Sequence, residues 1–232
     1  MGGRTDRPPV SGVVEAAVSR IVVFGAGGRA GTRVVAEAAG RGHEVTAVVR
    51  DPGRHPELGG AGVKVVTGDV TDGGSVAAVA AGHDVALQVA ARLDLPSEEF
   101  YAAATRALVD GLGRAGVPRL VALGIGSLLE VSPGVRLIDT PGFPAEARAF
   151  SLGHAAELEL LEASALDWVV IAPPPVFLDA EAARTGRYRF GDGRVPEAGE
   201  GDPAFSYADL AVALVDEAEA AGHRRVQVAV SY

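Results

Sequence analysis

The chain has 232 residues, with 21 Lys and Arg against 30 Asp and Glu, a net charge of −9 and a pI near 5.0. An acidic chain without a basic block does not attract nucleic acid or an anionic membrane surface through bulk charge. Zero cysteines exclude disulfides, thiolate metal sites and cysteine nucleophiles, and no apolar run reaches the length of a membrane span.

Residues 1–19 carry Arg4, Arg7 and Pro8-Pro9 but no continuous apolar segment. They read as a flexible N-terminal arm, not a signal peptide. A soluble, cytoplasmic protein is expected, with one ordered domain over residues 20–232. The first strand is Ile21 to Phe24, and it runs into the glycine turn Gly25-Ala26-Gly27-Gly28-Arg29-Ala30-Gly31, which opens a helix over about Gly28–Ala39. Gly40 and Gly42 then suit a left-handed cap. Strand two is Glu44 to Val49, strand three Val63 to Val66, and a helix over Ser75–Ala81 leads to strand four, Asp84 to Val89. A helix over about Pro96–Ala115 and strand five, Arg119 to Leu123, follow. Apolar strands alternating with helical segments indicate an α/β fold: a single-domain, Rossmann-like, doubly wound parallel sheet with helices on both faces.

The second half is less regular. Residues 129–145, with Pro133, Pro141 and Pro144, read as a loop over the carboxyl edge of the sheet. A helix over about Ala145–Ala165 precedes strand six, Trp168 to Ala172, which Pro173-Pro174-Pro175 ends. A short strand near Arg187–Phe190 follows, then a helix whose Ser206 and Asp209 have capping-box spacing, and a last strand over Arg225–Val230. Residues 129–145 and 173–205 are the expected substrate loops.

The strand–turn–helix at 21–31 points to dinucleotide binding. The helix N-terminus offers free backbone N–H groups and a partial positive charge to a pyrophosphate. Two glycine registers fit: Gly25, Gly27 and Ala30, or Gly25, Gly28 and Gly31. Strand two ends at Arg50, where a reader of an unphosphorylated ribose would place an acid. A guanidinium there suits a 2′-phosphate, with Arg29 and Arg54 adding charge. Asp51 is the competing group, held in an extended segment by Pro52. NADP(H) is therefore the expected cofactor.

Further stretches carry a family resemblance: Val48-Val49-Arg50-Asp51-Pro52, Gly68-Asp69-Val70, Gly126-Ser127-Leu128, Asp139 to Pro144, Leu166 to Val170 and Ser206 to Ala211. With the glycine turn, they resemble the atypical short-chain dehydrogenase/reductase group, which includes NAD(P)H-binding oxidoreductases, biliverdin/flavin reductase-like proteins and nitrogen-metabolite-repressor-like sensors. The resemblance covers residues 20–232. It implies that Gly25, Gly28, Arg29, Ala30 and Gly31 line the cofactor phosphates, that Arg50 faces the adenosine phosphate, and that Asp69 and Val70 edge the adenine. Gln88, Val89 and Ala90 would lie under the nicotinamide ribose, and residues 124–127 with Pro173 to Val176 around the nicotinamide. Relatives often carry Gly-Gly-Ala-Gly-Ser-Leu where this chain has Leu123-Gly124-Ile125-Gly126-Ser127-Leu128, so Leu123 and Ile125 add bulk beside the expected ring.

The usual proton donor of such reductases, Tyr-x-x-x-Lys, is absent: the one lysine is Lys64, and none of Tyr101, Tyr188, Tyr207 or Tyr232 has a lysine four residues later. Two catalytic candidates remain. Ser127 follows strand five, where the family places a site serine, and would bond a substrate oxygen or the cofactor amide; the plainer reading is a turn serine. His154 lies near where the missing pair would stand and is suited to general-acid work at neutral pH; the plainer reading is a solvated helix residue. Tyr101 is expected to pack, and His43, His55, His83 and His223 to lie at the surface. No His and carboxylate spacing forms a metal site.

An apolar, aromatic or polycyclic substrate is expected from Val131, Val135, Leu137, Phe143, Val176 and Phe177 in the two loops. The reading is an NADP(H)-dependent oxidoreductase that reduces a small apolar carbonyl, enone, quinone or flavin. An NADP(H)-binding redox sensor, and a non-redox isomerase or cyclase on the same fold, are the alternatives.

Overall fold

The computed structural model describes residues 18–175, 178–197 and 204–232. The N-terminal arm, apart from Val18 and Ser19, lies outside these residues, as do Val176 and Phe177. Strands β1 (Arg20–Phe24), β2 (Glu44–Val49), β3 (Val63–Thr67), β4 (Val85–Gln88) and β5 (Arg119–Leu123) alternate with helices α1 (Arg29–Gly40), α2 (Gly73–Ala80) and α3 (Ser97–Ala115). The hairpin β6 (Glu130–Ser132) and β7 (Val135–Arg136) comes next, followed by α4 (Ala145–Glu162), β8 (Asp167–Ala172), β9 (Arg189–Phe190), α5 (Tyr207–Ala220) and β10 (Val226–Ser231).

The main sheet has the order β3-β2-β1-β4-β5-β8-β10-β9. Every pairing in it is parallel except β10 with β9. The strand order reverses at the β1–β4 boundary, and a doubly wound sheet opens its crevice beyond the carboxyl ends of the strands at such a point.

Alternation along β1 explains the two-faced core. Ile21 and Val23 pack with Val34, Val35, Leu210 and Leu214 of α1 and α5. Val22 and Phe24 pack on the opposite face with Val76, Phe100, Leu108, Leu112 and Leu161 of α2, α3 and α4. β1 is thus apolar on both sides, as a central parallel strand between two helix layers must be.

Two expectations change in detail. Gly40 is the last helical residue of α1 and only Gly42 takes a left-handed conformation, at φ +88°. Residues 129–145 are not a bare loop: β6 and β7 pair there, and a 3-10 turn over Leu137–Asp139 buries Ile138 against Leu128 and Ala155. Glu130 also exchanges backbone bonds with Gly193 and Val195, which ties the hairpin to the segment after β9.

Candidate functional site

The glycine turn sits at the carboxyl end of β1, beside the point of reversal. Its backbone is stitched to the neighbouring strands: the Ala26 amide donates to Val48 O at 3.3 Å and the Val89 amide to Phe24 O at 3.0 Å. Gly25 has φ +82°, and a Cβ there would stand 2.4 Å from the Ala90 Cα. A Cβ on Gly31 would stand 2.1 Å from Gly25 O. Both glycines are therefore required by packing within the turn.

Gly28 differs. A Cβ there would meet only Gly25 O, at 3.4 Å, so its outer face is open. The first i→i−4 bond of the helix runs from the Thr32 amide to Gly28 O, and the amides of Arg29, Ala30 and Gly31 lie ahead of it. No acidic residue stands in that first turn to neutralise its positive end. A cradle open at Gly28, next to free first-turn amides, fits a pyrophosphate. Gly27 is lean for another reason: a Cβ there would stand 2.3 Å from the Cε1 of His55, whose ring covers it.

Arg50, exposed at the end of β2, joins Arg29 and Arg54 as guanidiniums without an ion pair or side-chain hydrogen bond among the described residues. The Asp51 carboxylate accepts from the Gly53 amide at 3.0 Å and caps a 3-10 turn over Pro52–Arg54. Asp69 accepts from the Thr71 amide and hydroxyl at 2.9 and 2.7 Å. Burial pushes its carboxyl up, but those two bonds and the charges of Arg50 and Arg92 outweigh it and leave it below the usual range. Nearby, the hydrogen bond from Arg92 pulls exposed Asp94 down to about 2. Val70 is buried in the α2–α3 core beside Val48 and Val76.

Gln88 is almost fully buried, and its amide closes on the Ala90 backbone. Across the sheet edge, a Cβ on Gly126 would stand 2.4 Å from Pro173 O and 2.7 Å from the Pro175 amide nitrogen. The turn after β5 and the end of β8 are thus in contact. Val176 lies outside the described residues. Ile125 packs with Leu128, Ile138 and Ala155, and Leu123 packs against the α1–α5 core.

Ser127 is 4% exposed and its hydroxyl donates to Ser151 Oγ at 2.7 Å, which in turn donates to Ala147 O at 2.9 Å. His154, on the same face of α4 one turn later, is corrected by the structure. It is not a solvated helix residue and presents no open face to a cleft. Its ring is buried between α3 and α4, 4.0 Å from the Tyr101 ring centroid and 5.1 Å from that of Phe150. Its Nδ1 bonds the buried Glu157 at 2.9 Å. An imidazole enclosed in this way does not reach a substrate. Tyr101 packs as expected, and burial followed by the Glu157 charge raises its hydroxyl pKa.

His43 is also corrected. It is buried, and bonds the Ser19 amide at 3.2 Å and Glu219 at 2.7 Å. Of the expected apolar lining, Val131 and Val135 face solvent on the hairpin, Phe143 packs against Leu128, Ile138 and Ala155 and beside Arg148, and Val176 and Phe177 lie outside the described residues. A cavity of about 860 Å³ lies instead beside Thr185, Arg187, Tyr188 and Tyr232, and none of its lining residues comes from the glycine turn. Sequence reasoning missed the group that covers Gly27, His55, because no local pattern marks a contact between the loop after β2 and the turn after β1. No group of His, Asp and Glu among the described residues is placed to hold a metal, and no helix among them is long and apolar enough to cross a membrane.

The NAD(P)H-binding family matches residues 25–221. The chain belongs to that family. The Bacillus subtilis protein YwnB is 32% identical over 218 residues, 91% of this chain and 97% of its own. A Streptomyces 3-diazoavenalumate denitrifying reductase is 33% identical over 229 residues, 88% of this chain and 74% of its own. The crystal structure of a Streptococcus pneumoniae protein assigned as an NADH-flavin reductase superposes with a TM-score of 0.78 at 26% identity, covering 91% of this chain and 98% of that one.

Proposed function

We propose that the protein is an NADP(H)-dependent oxidoreductase that reduces a small apolar carbonyl, enone, quinone or flavin without a Tyr-x-x-x-Lys pair. The observation that carries the phosphorylated cofactor is the trio Arg29, Arg50 and Arg54. None of them has an ion pair or side-chain hydrogen bond among the described residues, while the competing carboxylate of Asp51 is spent on the Gly53 amide. Three free guanidiniums beside an open glycine cradle favour a phosphate over a bare hydroxyl, since Arg grips phosphate through parallel N–H bonds.

When bound, the reduced nicotinamide supplies a hydride to the acceptor. The residues of this chain hold and orient. The open cradle at Gly28 and the amides of residues 29–31 seat the pyrophosphate, and Asp69 with Val70 borders the adenine. Gln88, Val89 and Ala90 form the floor at the end of β4, and residues 124–127 with Pro173 to Pro175 form the wall beyond β5 and β8. Ser127 already donates its hydroxyl hydrogen to Ser151. Its free capacity is as an acceptor, which suits the N–H of a carboxamide better than a substrate oxygen. His154 is enclosed behind this wall and serves packing. With His154 and Tyr101 enclosed and no Tyr-x-x-x-Lys pair present, the reaction suits acceptors that need little protonation or take it from solvent. The name of the Streptomyces relative and the flavin-reductase assignment of the pneumococcal structure support reduction as the reaction class. The absence of cysteine fits a reducing, cytoplasmic setting.

Titration with NADPH and NADH, followed by NADPH oxidation over a panel of quinones, flavins and enones, tests this reading. Preference for NADPH and acceptor-dependent turnover are expected. The enclosed His154 and the missing Tyr-x-x-x-Lys favour a second reading, an NADP(H)-binding sensor, which would bind the coenzyme tightly and turn over with no acceptor.

A further inference from the structure

The His55 side chain lies on the glycine turn, and nothing in the assignment of the cofactor site uses it. The 3-10 turn over Pro52–Arg54 carries it back from the end of β2 onto Gly27. A Cβ built on Gly27 would stand 2.3 Å from Cε1, 2.5 Å from Nε2 and 2.7 Å from Nδ1, so the ring lies over the glycine α-carbon. The imidazole therefore lies on the expected pyrophosphate cradle, on a loop that also carries Arg50 and Arg54.

The hydrogen bonding of the ring fixes what it can offer. Nδ1 lies 3.2 Å from Glu57 Oε1. The Glu57 carboxyl is held below the usual range by its own backbone amide and by His55, so it is ionised and can only accept. Nδ1 must then carry the hydrogen. Nε2, which has no partner among the described residues, is a bare acceptor while the ring is neutral. It becomes an N–H donor only when the ring is cationic. The other charged residues of the two segments brought together here are Arg29, which opens α1, and Arg50, Asp51 and Arg54 after β2. A dianionic phosphate arriving there offsets the three cations and leaves Nε2 facing an acceptor.

We propose that His55 is a phosphate-binding residue of the cofactor site, and that the coenzyme binds with uptake of a proton at His55, the new Nε2–H donating to a phosphate oxygen. This rests on the NADP(H) reading above. It makes coenzyme affinity fall as pH rises, although no proton is exchanged in the site's other contacts through arginine or backbone amides.

The test is calorimetric titration with NADPH just above neutral pH in two buffers of different ionisation enthalpy, Hepes and Tris, on the wild-type chain, His55→Gln and Glu57→Gln. The wild type should take up protons that His55→Gln does not, which cancels any uptake by the 2′-phosphate itself. His55→Gln should also bind roughly tenfold more weakly, the usual worth of a hydrogen bond to a charged group. Glu57→Gln frees the ring to carry its hydrogen on Nε2 while neutral, so it should keep binding and lose the uptake. Excess uptake with NADH as well as NADPH assigns the contact to the pyrophosphate. Excess uptake with NADPH and 2′-AMP but not NADH assigns it to the 2′-phosphate. Equal uptake in wild type and His55→Gln, both binding NADPH, overturns the role of His55 and leaves the cofactor reading standing. A wild type that binds neither coenzyme overturns both.

Discussion

The Tyr232 hydroxyl donates to Asp209 Oδ2 at 2.8 Å and accepts from the Ser206 amide at 3.3 Å. Asp209 is fully buried and also accepts from the Thr185 amide and hydroxyl, both at 2.8 Å, from the Gly186 amide at 2.7 Å and from Ser206 Oγ at 3.0 Å. One carboxylate thus joins the start of α5, the segment before β9 and the residue after β10. Removing it leaves these donors buried without a partner, so Asp209→Ala should cost about 3–5 kcal/mol, read as a lowered denaturation midpoint. Tyr232→Phe should cost only about 1 kcal/mol.

Acid should act through the same group. Burial raises the Asp209 carboxyl, but the donated hydrogen bonds, led by the Gly186 amide, outweigh it and leave its pKa lowered in the folded protein. A lowered folded pKa adds stability that is present above the unfolded value of about 3.9 and lost as pH falls through the folded one. Urea midpoints for the wild type should therefore drop below about pH 4. Asp209→Asn, which has no carboxyl to protonate, should start lower and show a shallower drop. An equal drop in both proteins would remove Asp209 from the acid response.

The glycines of the turn should separate by function. Gly31→Ala places a methyl 2.1 Å from Gly25 O and should destabilise the fold by several kcal/mol, in the range of about 1–3 or more for overpacking at a rigid backbone contact. Gly28→Ala meets only Gly25 O at 3.4 Å, so its melting temperature should stay near that of the wild type while coenzyme affinity is lost. Unchanged affinity in a folded Gly28→Ala protein would show that phosphate does not approach there.

Arg50→Ala should weaken NADPH roughly 10- to 100-fold, as expected for loss of a hydrogen-bonded charge pair, and leave NADH unchanged. Equal losses for both coenzymes in a binding titration would take the 2′-phosphate away from Arg50.

His154→Gln should lower thermal stability, because it removes a ring packed on Tyr101 and bonded to buried Glu157. Turnover per folded molecule, and its dependence on pH, should not move. A lost limb in the pH–rate profile would restore His154 as the proton donor.

How far the sequence carried can be traced residue by residue. The run from β1 through the glycine turn into α1 was readable because each step is local: a continuous apolar run in the strand, a positive φ that glycine tolerates best at Gly25, and a helix periodicity after it. Ser206 was readable as a cap for the same reason, and its Oγ does accept from the Asp209 amide at 2.9 Å. The other half of the capping box failed, since the Asp209 carboxylate turns to Thr185, Gly186 and Tyr232 and the Ser206 amide finds the Tyr232 hydroxyl instead. Those partners lie elements away, and no spacing rule reports them. His154 went the same way: its surroundings are set by Tyr101 on another helix.

What the sequence alone determined is the chain of short-range decisions that gives alternating strands and helices and one glycine turn, because burial period and backbone freedom act within a few residues. Only the tertiary structure decided which side chains are left free to act. It spent Asp51, Ser127 and His154 on partners inside the protein, left Arg29, Arg50 and Arg54 without an ion pair or side-chain hydrogen bond among the described residues, and laid His55 over Gly27. Whether a polar group is free depends on what distant segments bring to it when the two helix layers close on the sheet, and that is a property of packing rather than of sequence order.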